Sequence, residues 1–451
     1  MSTRHAMVET ITAFVCTLVA GMSLLLPIDF GWTSESTALQ LDMLAFSVPR
    51  AIAVGGVVAV LISVFATTMN HAMAAWGSAL AGIAIMFVNH LAGRHASPAA
   101  PLSTLNFVDS IAGGMLLGGI AAAVLRGRMQ VFGWTLGALA SVVVAAALPV
   151  PHPMDLMDPR KALRWPSTDS PPMWLIGLAL ALVVIGTVIN RHSVEIERRT
   201  VELPMAPILA GMLYISVALF SAEWLAHRVA SALNLTLAVA TTVVTAMIAA
   251  LLLPRRDGTL VLLAVALSSV GCAVVPAELP RWTGPIIVAV VALGILLGMR
   301  RPAPILALLL LACLALFGVL TTPGEQGPLH AAILGLVLAL AAGYSFGCAA
   351  PRYNPTRVLG VAIVLGSSVV LALRDHLSSG NFSTATIEAG QWNPSQTPMV
   401  RSVTAYEMAL AITICCAIGL LMLRHWRAPL VLRGSPRAVD AQQPPELPED
   451  S

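Results

Sequence analysis

The chain has 451 residues, of which 57% are hydrophobic and only 10% charged, and its mean hydropathy is +0.85. Soluble globular proteins carry about 25% charged residues, so a water-exposed surface of ordinary polarity is excluded. The formal net charge of +3 is spread thinly along the chain, and with no basic stripe a nucleic-acid partner is excluded too.

In chain order, apolar runs fall at about residues 8–27, 50–69, 72–92, 108–125, 129–149, 173–190, 205–223, 230–253, 259–276, 285–299, 304–321, 329–349, 357–373 and 403–423. Crossing roughly 30 Å of hydrocarbon takes about 20 residues, and most of these runs are that long; 285–299 is the shortest. In lipid every backbone amide must be bonded inside its own helix. The expected fold class is therefore all-α: a polytopic transmembrane helix bundle of about 14 helices, with the lipid bilayer as its solvent. The first run follows a single Arg4 and lacks a small-residue cleavage site, so it reads as a membrane helix rather than a signal peptide. The expected organisation is a six-helix bundle at 1–190, a linker with an extra helix pair at 191–253, a second six-helix bundle at 254–434, and a tail at 435–451. That tail, ending PRAVDAQQPPELPEDS, is proline-rich and acidic and is expected to be disordered.

Orientation follows from arginine, because basic residues of short loops stay on the cytoplasmic side. With the N-terminus in the cytosol, the inner turns hold Arg126 and Arg128, then Arg191, Arg198 and Arg199, then Arg255 and Arg256, Arg300 and Arg301, and Arg352 and Arg357. Arg4 and the tail's Arg424, Arg427, Arg433 and Arg437 join them. The minority left outside is Arg50, Arg94, Arg160, Lys161, Arg164, Arg228, Arg281, Arg374 and Arg401. Both termini are thus expected to be cytoplasmic. LLLPRRDGTLVLL, Leu251 to Leu263, reads as one such inner turn: Pro254 ends a helix, the arginines stay in the cytosol, and Gly258 lets the chain reverse. The inner turn TTMNHAMA is the one without an arginine.

The longer outer loops are 28–49, 93–107, 150–172 and 374–402; the last two offer docking surfaces for an envelope protein, and neither is long enough to fold alone. Six cysteines (Cys16, Cys272, Cys313, Cys348, Cys415 and Cys416) all lie inside apolar runs. A disulfide framework would put them in loops, so they read as small buried hydrophobes. Lys161 is the only lysine, which with the Ala, Val, Gly and Pro content points to the inner (plasma) membrane of a GC-rich bacterium.

Ionisable groups in a bilayer are costly, so each one is a functional hypothesis. Glu9, near the inner end of the first helix, reads as a helix-start or snorkelling acid, or else as a coupling site. His90, beside Asn89 toward the outer end of the third helix, reads as an interhelical hydrogen-bonding group or a proton-responsive site. At the outer boundary lie Asp42, Arg50, Asp109, Glu223, His227, Arg228, Arg374, Asp375, His376, Arg401 and Glu407. Arg50 and Glu407 sit at helix ends where an unpaired charge is expensive, and Asp42 or Asp109 is the expected relief for Arg50. This set is either a solvated rim of headgroup-facing charges or a gate or anion-sensitive vestibule facing outward, and Arg50, Asp42, Asp109, His90 and Glu407 are the substrate or gating candidates. The mid-helix polar residues Asn234, Ser268, Ser269, Tyr214, Tyr344, Ser345, Ser367 and Ser368 are expected to bond to backbone or to a neighbouring helix. GSALAG (Gly77 to Gly82) and GGMLLGG (Gly113 to Gly119) allow close helix contact.

The chain has no phosphate loop, dinucleotide fingerprint, HExxH helix, nucleophile elbow or paired histidine ligands. No catalytic residue, cofactor or metal is expected, and the chain is not expected to be an enzyme. A lipid-carrier transferase would call for adjacent acids in an outer loop, whereas Asp29, Glu35 and Asp42 are spread apart.

Fourteen helices with both ends inside, short arginine-marked turns and a basic hinge after helix six resemble the major facilitator superfamily, in particular its fourteen-helix drug–proton antiporter branch. VEIERRTVELPMAPILAGMLY (Val194 to Tyr214) looks like that branch's link from helix six into its extra helix pair, and VDSIAGGMLLGGIAAAVLRGR (Val108 to Arg128) is similar to its fourth helix. The family's Gly-rich, Asp- and Arg-bearing turn between helices two and three is here TTMNHAMAAWG (Thr67 to Gly77), with no acid and no arginine. Its fifth-helix antiporter motif is replaced by FGWTLGALAS (Phe132 to Ser141). No coupling or gating residue is therefore carried over.

Three functions are weighed. A transporter of two rocking bundles would move a small amphipathic or lipid-linked solute, because mid-bilayer carboxylates for a strongly proton-driven pump are scarce. A non-transporting subunit of an envelope assembly would dock through 150–172 and 374–402. A membrane-embedded transferase would act on a lipid carrier.

Overall fold

A computed structural model describes residues 3–26, 38–69, 71–95, 102–147, 170–191, 205–226, 232–254, 257–274, 283–321, 328–349, 351, 353–378 and 403–426. Among them are fourteen helices: α1 (Thr3–Leu25), α2 (Ala38–Thr68), α3 (Ala72–His95), α4 (Leu102–Val124), α5 (Arg128–Ala147), α6 (Met173–Asn190), α7 (Met205–Ala226), α8 (Ala232–Leu252), α9 (Gly258–Val274), α10 (Gly284–Arg300), α11 (Pro304–Leu320), α12 (Pro328–Cys348), α13 (Asn354–Ser378) and α14 (Val403–Trp426). Nine are long and apolar enough to cross a membrane, and four more apolar stretches are slightly shorter. The chain is a multi-pass membrane protein.

Each apolar run is the body of one helix, and the differences lie at the ends. α2 begins at Ala38, well ahead of the run at 50, because ALQLDMLAF is built of good helix formers although it is not uniformly apolar. Asp42 therefore belongs to a helix and not to the 28–49 loop. Pro49 lies within α2, where it removes the backbone bond to the carbonyl four residues earlier. α3 runs on to His95 and α4 starts at Leu102, which shortens the 93–107 loop from both sides. α13 continues to Ser378, so the loop expected at 374–402 starts later. The 150–172 loop, the rest of 374–402 and the tail at 435–451 fall outside the described residues, except for residues 170–172.

The helices pack in a repeated pattern. In the first set α2 lies along α4, α1 along α5, α3 along both α4 and α6, and α1 also touches α4 and α6. The second set repeats this with α9–α14 in place of α1–α6: α10 lies along α12, α9 along α13, α11 along α12 and α14, and α9 touches α12 and α14. The sets meet through α2 with α13 and α5 with α10, contacts that exchange when the sets are interchanged; α4 with α13 and α5 with α12 form a second matched pair. α7 and α8 pair with each other outside the pattern. α7 lies on α2 and α13, and α8 lies on α9 and α14.

The tightest equivalent pairs are lined by glycine. A Cβ on Gly114 or Gly118 would meet the Gly55 or Ala59 carbonyl of α2, and one on Gly294 or Gly298 would meet the Leu340 or Tyr344 carbonyl of α12. From the other side, Gly343 and Gly347 face the Val291 and Ile295 carbonyls. Small residues four apart put one bare stripe on each helix, which lets the backbones touch where lipid gives no hydrophobic drive to association. Of the two small-residue patterns in the N-terminal half, GGMLLGG is such a stripe. In GSALAG Gly82 lies close to the Ala112 carbonyl of α4 and Ser78 and Ala79 lie close to Gly119, whereas Gly77 faces open space.

Candidate functional site

The polar residues of the N-terminal half collect where α3 meets α4. His90 Nε2 lies 3.2 Å from Asp109 Oδ1, with the two side chains 0% and 1% exposed. Asn89 Nδ2 donates to the Leu105 carbonyl at 3.0 Å, which ties α3 to the first turn of α4. Asn106 and Ser110 are also buried, one position after Leu105 and one after Asp109. The sequence placed Asp109 at the outer interface as a partner for Arg50. The structure gives a different pairing: Asp109 is buried and faces His90. The alternation that hides it is helical, since residues 106, 109 and 110 share one face at i, i+3 and i+4.

Arg50 finds a different acid. Its Nε donates to Glu223 Oε1 of α7 at 2.7 Å, with Arg50 59% and Glu223 20% exposed. Neither Asp42 nor Asp109 is its partner in this bond; the Asp42 side chain lies outside the described residues. Glu223 was placed in the outer rim by the sequence, but nothing there singled it out, since 173 positions separate the pair. Glu407 is exposed in the first turns of α14. Of the five candidates, then, the structure joins two, His90 and Asp109, sends Arg50 to the extra helix pair and leaves Glu407 apart, the fifth, Asp42, having its side chain outside the described residues.

At the opposite end of the bundle each set closes with an acid-centred clasp between equivalent helices. In the first, Gln130 Nε2 of α5 donates to Glu9 Oε2 of α1 at 3.1 Å, both residues being buried. Glu9 is therefore a bonding group inside the packing, not a snorkelling acid. In the second, Asp257, just before α9, accepts from Thr356 Oγ1 of α13 at 3.1 Å and from the Tyr353 N–H at 3.4 Å. α1 with α5 and α9 with α13 are the same contact in the two sets. The sequence reading missed Gln130 and Asp257 because no local signal connects residues 96 to 121 positions apart. It also attributed Gly258 to chain reversal; what the site requires is closeness, since a Cβ there would meet the Ala250 backbone carbonyl.

Three of the mid-helix hydroxyls bond as expected, and the side chains of Ser367 and Ser368 lie outside the described residues. Ser269 and Ser345 donate to the carbonyls of Ala266 and Ala341 within their own helices, and Tyr344 reaches the Arg301 carbonyl beyond α10 at 2.8 Å. All six cysteines are free; Cys16, Cys348 and Cys416 are buried, while Cys313 is exposed on α11 and so departs from the buried reading. Among the described residues no group of three or more His, Cys, Asp or Glu could hold a metal ion.

No protein-family model matches the chain, and no curated protein matches it. Among solved structures it is similar to a POT family transporter in complex with 5-aminolevulinic acid, at 12% identity and TM-score 0.46 over 94% of this chain and 96% of that one. It is also similar to a XylE mutant with two introduced tryptophans, at 12% identity and TM-score 0.42 over 94% and 95%. A third is a bacterial homologue of the human lysosomal transporter Spinster, in an inward-facing and occupied conformation, at 14% identity and TM-score 0.36 over 94% of each chain. At these identities and TM-scores the likenesses transfer neither a substrate nor a residue role to this chain.

Proposed function

We propose that this protein is a transporter in which α1–α6 and α9–α14 rock as two units and carry a small amphipathic or lipid-linked solute across the inner membrane of a bacterium. The observation that carries the reading is the matched packing. Six helix–helix contacts recur between the sets, and the sets join through contacts that interchange with them. Internal repeats of this kind suit alternating access, because either arrangement of one unit against the other is built from equivalent surfaces. The reading of the cargo class rests on chemistry: the helices lining the joint are overwhelmingly apolar, and among the described residues the buried acids and histidine, Glu9, His90, Asp109 and Asp257, are held in the contacts above. An apolar lining suits an amphipathic solute better than a multiply charged one.

The seam between the units provides the test. A Cβ on Gly56 of α2 would lie 3.4 Å from the Ala362 Cβ of α13, close to the separation a disulfide spans. Gly56→Cys with Ala362→Cys, in a background lacking the native cysteines, should permit flux of an amphipathic solute into liposomes under reduction and stop it on oxidation. Flux at empty-liposome rates for every solute in a broad panel sinks the proposal, and so does flux indifferent to the cross-link.

A further inference from the structure

Among the described residues, His90 and Asp109 form the ion pair whose two members are both buried. Neither position is forced by helix termination. His90 lies five residues before the end of α3 at His95, and Asp109 seven after the start of α4 at Leu102, so at 1.5 Å per residue the pair sits roughly 8 to 10 Å inside the helix ends. An apolar pair would close α3 on α4 without the cost of desolvating two ionisable groups. Here Asn89, His90 and Asp109 make polar contacts across the seam, and Asn106 and Ser110 are buried beside them on α4.

The protons can be counted. With one labile proton between them, imidazole and carboxylate are net neutral, whether drawn as imidazolium facing carboxylate or as imidazole facing carboxylic acid. Loss of that proton leaves a charge of −1, and gain of a second leaves +1. A buried, low-dielectric seam disfavours both charged states, and the two groups titrate as one coupled unit. While α3 and α4 stay closed the pair therefore keeps one proton. Once water enters, the penalty falls and the proton can leave to water or a second can arrive. We propose that His90–Asp109 is a proton-exchange site whose loading is tied to opening of the α3–α4 seam. The seam lies inside the α1–α6 unit, so its opening is a separation of α3 from α4 within that unit, distinct from the rocking of the two units.

The surrounding elements add few competing groups. α6 has no ionisable residue, and α5 has only Arg128, at its first position. α1 brings Arg4, His5 and Glu9 at its start, with Glu9 bonded to Gln130, and Cys16, whose thiol faces the Ala179 carbonyl. α2 brings Asp42 and Arg50, the latter on Glu223. α13, which lies on α4, carries Arg357 in its first turn and Arg374, Asp375 and His376 in its last. On α3 itself Arg94 and His95 follow one turn toward the loop, and α4 has no ionisable residue besides Asp109.

The test is infrared difference spectroscopy on the full chain in lipid nanodiscs across a pH series, which needs no substrate. The wild type should show the C=O stretch of a protonated carboxyl changing in intensity across the series as the pair gains or loses a proton. Asp109→Asn should abolish that band, and His90→Gln should move its midpoint by about one pH unit or more. A band absent or unchanging in the wild type, or one persisting unaltered in both variants, would overturn the proposal and leave the pair a fixed clasp. Should Asp109→Asn fail to fold, the wild-type band decides, because a pair held as a fixed clasp keeps its one proton across the whole series. A titrating band with no flux for any solute condemns the transporter reading alone; flux with a static band condemns the proton site alone.

Discussion

Two acids that look alike along the chain differ in what their removal should cost. Glu9 and Glu223 each lie within a turn or two of a helix end and each accepts from a side-chain nitrogen, but Glu9 is buried against a buried Gln130, while Glu223 meets an Arg50 that is 59% exposed. Glu9→Ala strands the Gln130 amide in the packing, which costs about 1–3 kcal/mol, whereas Glu9→Gln keeps an acceptor oxygen and should cost less. Arg50→Ala and Glu223→Ala break a solvent-screened pair worth about 0–1 kcal/mol. Thermal unfolding of the purified protein should therefore rank Glu9→Ala as the most damaging of the four, and an equal or larger loss from Arg50→Ala would contradict the burial assignment. Of the candidate site, the sequence made the ionisable residues legible because charge is rare here, but not their pairing. Arg50 could be matched to Asp42 or Asp109 by nearness along the chain, yet its acid comes from α7, which only tertiary packing brings alongside α2.

At the scale of helices, the glycine stripes make a sharper claim than composition does. Gly118→Leu would drive a branched side chain into the Ala59 carbonyl of α2, and Gly298→Leu would do the same at Tyr344 of α12. Both are backbone obstacles that cannot move aside, so each should cost at least the roughly 1–3 kcal/mol of an overpacked core. Gly77→Ala, with nothing within 4 Å of its Cβ, should instead be neutral or stabilise α3 by up to about 1 kcal/mol through helix propensity. Fluorescence-detected gel filtration after heating would separate the two classes, and loss of the folded peak with Gly77→Ala would refute the distinction. The helices themselves were legible because hydrophobic length is a direct physical demand of the bilayer. Their ends were less so: the leading turns of α2 and the trailing turns of α13 carry Asp42, Arg374 and Asp375, and a hydropathy reading stops at the first charge although the backbone continues as helix.

At the scale of the whole molecule, the repeat of α1–α6 by α9–α14 was hidden in the sequence because packing partners, not matching residues, define it. α1 includes Arg4, His5 and Glu9, whereas α9 has no charged residue at all, so the equivalent helices share a role without sharing a pattern. The repeat predicts where the chain tolerates being cut. A break between α6 and α7 separates a set whose six helices pack mainly on one another, and the fragments still meet through α2 with α13, α2 with α7 and α5 with α10. A break between α8 and α9 falls instead in a packed turn, where Leu253 and Asp257 are buried, Gly258 presses on Ala250 and Asp257 holds the start of α13. Co-expressed fragments divided between α6 and α7 should copurify through a tag on either piece and unfold close to the intact protein. Fragments divided between α8 and α9 should copurify poorly or unfold well below it, since the cut frees a buried carboxylate from the geometry that satisfies it. Equal recovery from the two cuts would mean that the α8–α9 turn contributes no more to assembly than an ordinary surface loop, and the second clasp would lose its structural role.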